Sequence, residues 1–340
     1  MAKNNTITFN NGPIDISAVN TMVREHGDLL VAIDQESANM ILQHFTGMPG
    51  VKDSYTFGRT LLGKISRKYT GEFKGQVADG KIEPRTLKVY PVVMEMADEP
   101  ESYRRAFVTE VRGGLTQHPF EIWLNNWGIK SASKELHDAF LAAKYDASAS
   151  ATSISDSFDG PLTILQSAIT DKTISVANGN MFATGVMTTA NVGDQLLAMW
   201  RKMPAAARQQ NMKMMISMDL GDMYDDWLEN KGTYIVGSGA EETGAKYLRG
   251  TGGKVELVRM SGVPAGKEQF VWITLKENQY YGFDQLSDMT TLTAFQSGNP
   301  YLYTAYGKYV MGCQFITLNK YVFICNEQGM TLPSAEVPSA

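Results

Sequence analysis

Between Pro119 and Ala147 the apolar positions recur at helical spacing on two faces at once. At about 100° per residue, Ile122, Ile129, Ala132, Leu136, Phe140 and Ala143 fall on one side, and Phe120, Trp123, Leu124 and Trp127 nearly opposite. A helix that is apolar all round at its start and along one stripe thereafter passes through two environments. Proline fits its first turn, where no backbone donor is needed. The spacing therefore predicts one long strut helix over 119–147, around which the rest of the chain is arranged.

Before the strut the pattern changes three times. Residues 1–28 are polar, with a Gly12-Pro13 turn and no sustained periodicity, which predicts an extended arm that orders on a partner. Ile33, Met40, Ile41 and Phe45 give a short helical pattern over 28–45, stopped by Gly47-Met48-Pro49-Gly50. Two β-leaning arms, 55–76 and 83–96, then flank a polar tip at 77–82 containing Asp79-Gly80, the signature of a long hairpin. Arg59, Lys64, Arg67, Lys68, Lys74, Lys81, Arg85 and Lys88 make it a basic ribbon, opposed only by Glu72, Asp79 and Glu83. Two strands bury too little apolar surface to stand alone in water, so the ribbon should lie against something, such as another subunit.

After the strut, the small-residue stretch SASATSISDS marks a subdomain boundary. Val192, Leu196, Met199 and Met203 predict an amphipathic helix over 190–203, limited by Pro204. Residues 212–218 read as a strand leading into a helix capped by Asp219 and ending at Asn230-Lys231-Gly232. Strands at 255–261 and 268–275 suggest a hairpin turning at Val263-Pro264-Ala265-Gly266. The aromatic-rich block 301–326 should return to the sheet beside the strut, before a polar tail.

Composition narrows the function. At 340 residues the chain can bury a sizeable core without disulfides or metal. Cys313 and Cys325 read as buried thiols of a reducing cytoplasm, with a bridge between them not implied. No apolar run is long enough for a membrane span. A net charge of −5 argues against coating nucleic acid with the whole surface.

Chemistry-bearing motifs are sparse, and no catalytic, cofactor-binding or metal-binding residue is assigned. His26, His44, His118 and His137 form no HExxH pair, and His118 with Glu121 reads as helix-start capping. Gly250-Thr251-Gly252-Gly253-Lys254 lacks the phosphate-loop spacing, has Val255 where Ser or Thr is required, and leads into a strand, so it reads as a turn. Ser238 has no GxSxG frame. Asp219, Asp222, Asp225, Asp226 and Glu229 on one helix read as a solvated face, or as the surface that receives a neighbour's basic ribbon; a glycosidase-like use of these acids is the enzymatic alternative. The ribbon offers another alternative, an RNA-binding module, but its aromatics have no clear stacking spacing. Of the nineteen methionines, the group Met203, Met212, Met214, Met215 and Met218 reads as adaptable core filler.

The order of these parts resembles the major capsid proteins of tailed bacteriophages, the Hong Kong 97-type α+β fold. The resemblance is carried by His118-Pro119-Phe120-Glu121 opening the strut and Lys144-Tyr145-Asp146 closing it, by Phe158-Asp159-Gly160 after the joint, and by Met218 to Tyr224 at the strand–helix turn. Trp272 to Asn278 followed by Gly282-Phe283-Asp284 adds to it. It implies an N-terminal arm at 1–50, an E-loop at 51–100, a P domain with the spine helix at 101–150, an A domain at 151–300, return strands at 301–328 and a flexible tail at 329–340. The spine residues would be Phe120, Trp123, Trp127, Leu136 and Phe140, and the eight basic ribbon residues the subunit interface.

The function so implied is self-assembly into pentamers and hexamers of an icosahedral head that encloses double-stranded DNA without sequence-specific binding. Portal and scaffolding proteins, and a decoration protein, are the implied partners; location in the virion after assembly in the host cytoplasm follows. With little chain before the E-loop, scaffolding would be a separate protein or none. Some members weld an E-loop lysine to a neighbour's asparagine, for which Lys64, Lys68 and Lys74 are the candidates, although nothing marks the acid this needs. An encapsulin-type nanocompartment shell is the alternative on the same fold.

Overall fold

The computed structural model describes residues 41–61, 68, 81–98, 120–149, 153–231, 246–285, 288, 293–296 and 303–333. The arm expected over 1–28 and most of the short helix expected over 28–45 lie outside them. In chain order the elements are β1 (Thr46–Met48), β2 (Ser54–Leu61), β3 (Lys81–Lys88), β4 (Tyr90–Asp98), α1 (Phe120–Phe140), α2 (Pro161–Thr170) and β5 (Met181–Phe182). They continue with α3 (Val192–Lys202), β6 (Met212–Ser217), α4 (Met218–Asn230), β7 (Val255–Met260), β8 (Trp272–Thr274), β9 (Gln279–Gly282), β10 (Thr293–Gln296), β11 (Tyr303–Phe315) and β12 (Phe323–Asn326).

The described residues fall into two compact units. The smaller comprises 93–98, 120–136, 288, 293–296 and 303–309. In it, β10 pairs antiparallel with the first part of β11, from Thr293 opposite Tyr306 to Gln296 opposite Tyr303. Strand alternation is visible on β4, where Met94 is buried and Val93 exposed.

The larger unit is built on a five-stranded sheet ordered β5-β12-β8-β6-β7. β6 and β7 are parallel, as are β12 and β5, while β8 runs antiparallel between β12 and β6. All three residues of β8 and all four of β12 are buried, as expected of strands covered on both faces. The helices α3 and α4 close one side of the core, where Leu196, Met199, Tyr224 and Trp227 pack with Met214, Val255, Ile273 and Ile324. Val192, Leu196, Met199 and Met203, the stripe read from the sequence, are all buried, and so are Met212, Met214 and Met215. Met218 is exposed instead.

Four local expectations are corrected. The strut helix stops at Phe140 and not at Ala147. Beyond it the chain pairs with the joint and the segment that follows it: Ala143 O accepts from Gly160 N (2.7 Å), Leu141 O from Leu162 N (3.0 Å), and Lys144 N donates to Ser155 O (2.8 Å). Those long-range bonds satisfy the backbone groups that another helical turn would have used.

At the other end of the expected 28–45 helix, residues Leu42–His44 form a 3-10 turn, and Gly47 and Met48 belong to β1, parallel to β9. The cap of α4 is Ser217, whose Oγ accepts from Leu220 N (3.0 Å) and donates to Glu268 O (2.6 Å). β6 runs directly into the helix, so the capping position falls two residues before Asp219. Finally, β7 and β8 are not a hairpin, because β6 lies between them.

The block 301–326 divides between sheets. β11 continues from β10 to pair with β9, Gly312 standing opposite Gly282, whereas β12 joins the sheet of β5 and β8. The glycine-rich segment 250–253 is a turn, as read: Leu248 N donates to Val255 O (3.0 Å) and Leu257 N to Lys246 O (2.8 Å).

Candidate functional site

The basic ribbon is real at its root. β2 and β3 pair antiparallel from Ser54 opposite Lys88 to Leu61 opposite Lys81. Lys81 and Ile82, expected in the polar tip over 77–82, therefore stand in a paired strand instead, while 77–80 lie outside the described residues. A turn signal such as Asp79-Gly80 is local, whereas register is set by which residues the root sends into the core, and a one-residue slip would turn all of them outward. Here those residues are Leu87 and Val89, which pack with Val51, Met48, Phe57 and Val310.

The root is seated on its own chain through two facing glycines. A Cβ at Gly312 would lie 2.0 Å from Lys88 O, and one at Gly282 would lie 2.8 Å from Val89 Cγ1 and 2.9 Å from Leu87 Cδ2. Since Gly282 and Gly312 are register partners, together they open a side-chain-free window in the sheet through which the β3–β4 link makes backbone contact. Gln314 locks the seat: its Nε2 donates to Thr86 O (3.0 Å), and its Oε1 accepts from Arg85 (3.3 Å) and from Phe315 N (3.0 Å).

Of the eight basic ribbon residues, Arg85 and Lys88 are engaged at this root. Arg85 is half-buried against Gln314, while Lys88 is exposed, with Nζ 4.8 Å over the ring of Tyr90, which stacks on Tyr145 at 3.9 Å. Arg59 stands opposite Glu83 in the paired strands, and Lys81 opposite Leu61. Lys68 is exposed, and Lys64, Arg67 and Lys74 lie outside the described residues.

On the strut, Leu136 and Phe140 are buried and Trp127 is 37% exposed. Phe120 and Trp123 occupy the first helical turns. Phe140 meets Phe45 edge-on at 5.2 Å and lies 6.1 Å from Phe158, so it ties the helix end to the segments on either side of it in sequence.

The acidic helix is a solvated face with an internal counter-ion. Asp219, Asp222, Asp226 and Glu229 are exposed, and Arg259 of β7 binds Asp222 (3.1 Å) and Asp225. Both cysteines are free and buried, and burial pushes both thiols up, further raised by Asp159 for Cys313 and by Glu327 for Cys325, so neither is a thiolate nucleophile. Among the described residues no three His, Cys, Asp or Glu side chains converge in a metal-ligating group. Nor is any described helix long and apolar enough to cross a membrane.

Two histidine contacts had no local signal in the sequence, because their partners are more than a hundred residues away. His44 Nδ1 accepts from Lys213 Nζ (2.9 Å), and Lys213 also pairs with Glu256 (3.2 Å). Burial and then the Lys213 charge bring the His44 pKa down to about 4, so this imidazole is neutral near pH 7. His137 Nε2 lies 2.6 Å from Ser261 Oγ, and burial lowers its pKa as well. That pair lacks an orienting acid, since His137 Nδ1 has no hydrogen-bond partner among the described residues, and it serves to hold the 261–266 loop on the end of α1.

No protein-family model matches the sequence, and no curated protein sequence is similar to it. Solved structures do share the architecture, which is the Hong Kong 97-type capsid fold. The capsid of a native GTA particle overlays with a TM-score of 0.56 at 12% identity, covering 86% of this chain and 90% of that one. The capsid of the empty GTA particle gives 0.55 at 11% identity with the same coverage. The satellite phage P4 procapsid, including its size determination protein, gives 0.51 at 13% identity, covering 90% of this chain and all of its counterpart. At these identities the likeness is one of fold.

Proposed function

We propose that this chain is a major capsid protein, assembling through many copies of itself into the closed icosahedral head of a tailed phage or phage-like particle. The observation that carries the reading is the extent of the fold match, which takes in 86–90% of this chain and at least 90% of shell subunits that work as lattices. Fold alone does not assign function; the ribbon adds a reason from the residues. Its root is fixed on the parent unit while Lys68, which lies beyond the paired strands in sequence, is exposed, and Lys64, Arg67 and Lys74 are its neighbours in the sequence.

In this reading 1–50 is the N-terminal arm, 51–100 the E-loop, 101–150 the P domain with its spine, and 151–300 the A domain, with 301–328 returning. Pentamers and hexamers close the shell by summing many weak contacts. A portal, a scaffold and a decoration protein are its partners, and packaged DNA is held without sequence readout. The role is structural, located in the virion.

The test is the triple variant Arg67→Glu, Lys68→Glu and Lys74→Glu in the full chain, compared with wild type by negative-stain microscopy. Wild type forms closed particles, and the variant stays folded and unassembled. Normal particles from the variant would remove the ribbon from the interface; no particles from wild type, with or without a co-expressed scaffold, would remove the shell reading. Cargo then separates a genome container from a protein-filled compartment.

A further inference from the structure

One edge of the β5-β12-β8-β6-β7 sheet carries a rigid surface that nothing above uses. The turn 171–180, between α2 and β5, is heavily cross-braced. Asn180 Nδ2 donates to Thr173 O (2.9 Å) and Leu318 O (2.7 Å), and its Oδ1 accepts from Ser175 N (2.9 Å). Asn178 Nδ2 donates to Lys172 O (3.0 Å). Lys172 itself is held at φ 57°, a region that a non-glycine residue adopts at a cost.

The turn before β12 lies alongside: a Cβ at Gly179 would sit 3.4 Å from Lys320 Cδ. Together the two turns present Val176 (48% exposed) and Tyr321 (47%) to solvent. Lys172 and Lys320 are exposed beside them, and neither makes an ion pair among the described residues. With Asp171 counted, the two turns still carry net positive charge. Such a pre-braced knob, apolar at its centre and basic at its rim, loses little conformational freedom on contact.

Complementary charge lies toward the other edge of the same sheet. α4 starts where β6 ends and returns along β6 and β7: Asp222 and Asp225 meet Arg259 of β7, while the Tyr224 hydroxyl accepts from Arg249 N, ahead of that strand (2.8 Å). Asp226 and Glu229 on its later turns are exposed and unpaired among the described residues, and Lys231 is taken by Asp194 (3.7 Å).

We propose that the knob of one copy docks on α4 of the next, with Lys172 and Lys320 against Asp226 and Glu229 and with Val176 and Tyr321 as the apolar centre. The inference rests on the shell reading and gives its rings a contact. Two different patches toward opposite edges of one sheet make a head-to-tail interface, and repeating such an interface by rotation closes a ring. Charge at the rim sets which surfaces meet.

The experiment uses the full chain under conditions where wild type forms rings or shells, read by native mass spectrometry and negative-stain microscopy. One variant carries Lys172→Glu with Lys320→Glu, a second Asp226→Lys with Glu229→Lys, and a third all four changes. All three keep the wild-type circular dichroism and melting, since the side chains are exposed. The first two stay monomeric, and the third assembles because its reversed surfaces again match. Mixing the first two gives rings with even numbers of copies only, because each contact then joins one variant to the other.

If the two-residue variants assemble as wild type does, the docking is wrong and the shell reading stands. If the four-residue variant fails to assemble, the knob does not meet α4. If wild type itself forms neither rings nor shells, both readings fall.

Discussion

Replacing Gly312 with alanine probes the seat of the ribbon at a single atom. The added Cβ would sit 2.0 Å from Lys88 O, 3.0 Å from Lys88 C and 3.1 Å from Val89 Cα, and none of these can swing aside by a rotamer change because all are backbone. Restoring ordinary contact, at 3.4 Å or more, displaces the β3–β4 link by about 1.4 Å. Overpacking commonly costs about 1–3 kcal/mol. The backbone neighbours and the nearby Gln314 bonds to Thr86 and Arg85 place this change at the upper end, about 3 kcal/mol.

Gly282→Ala is the internal control, because the atoms nearest its new Cβ belong to the Val89 and Leu87 side chains rather than to backbone, and these can rearrange for about 1 kcal/mol. Urea denaturation of both variants and wild type reads the difference as a shift in midpoint at constant slope. Hydrogen exchange of the Val89 amide, which donates to Asp53 O at 2.9 Å, reports whether the root has loosened. A Gly312→Ala protein as stable as wild type, or more stable than Gly282→Ala, would refute the close-crossing argument.

Phe140→Ala removes a fully buried ring that meets Phe45 and Phe158, and should cost about 3–5 kcal/mol by denaturation, with a cost below 1 kcal/mol counting against a packed helix end. His44 makes a pH prediction whose sign is fixed by its direction. Its pKa falls from the ordinary 6.5 to about 4 on folding, so the unfolded chain binds the extra proton first and stability is lost as pH drops from 6.5 to 4. Discounted for partial exposure, the loss is about 1–2 kcal/mol. His44→Gln should flatten that part of the pH–stability curve relative to wild type, and parallel curves would show that the Lys213 contact is immaterial.

Patterns carried by neighbouring residues were legible in the sequence. The α3 stripe and the β6–α4 passage needed only local periodicity, and the paired root of the ribbon needed only β-leaning sequence in both arms, although the second arm, expected over 83–96, leaves the ribbon after Lys88 for β4. What escaped was long-range. The insertion of β6 between β7 and β8 leaves no mark in the tempting turn at 263–266, because strand order is decided by burial on both faces of the sheet. The helix end at Phe140 depends on the carbonyls of Leu141 and Ala143 finding donors beyond the joint, at Leu162 and Gly160. The cap passed to Ser217 because the strand has no loop before the helix. Neither the His44–Lys213 contact nor the Asn180–Leu318 brace has a spacing that a linear reading could detect, since the partners lie 169 and 138 residues away.

The facing pair Gly282 and Gly312 has a mechanical consequence. At Gly312 the nearest atoms are backbone, so on that side of the crossing there is no soft layer to absorb a tug on the outer ribbon. Torque applied to β2 and β3 passes straight into the peptide planes of β11, so the ribbon behaves as a lever on a hard bearing.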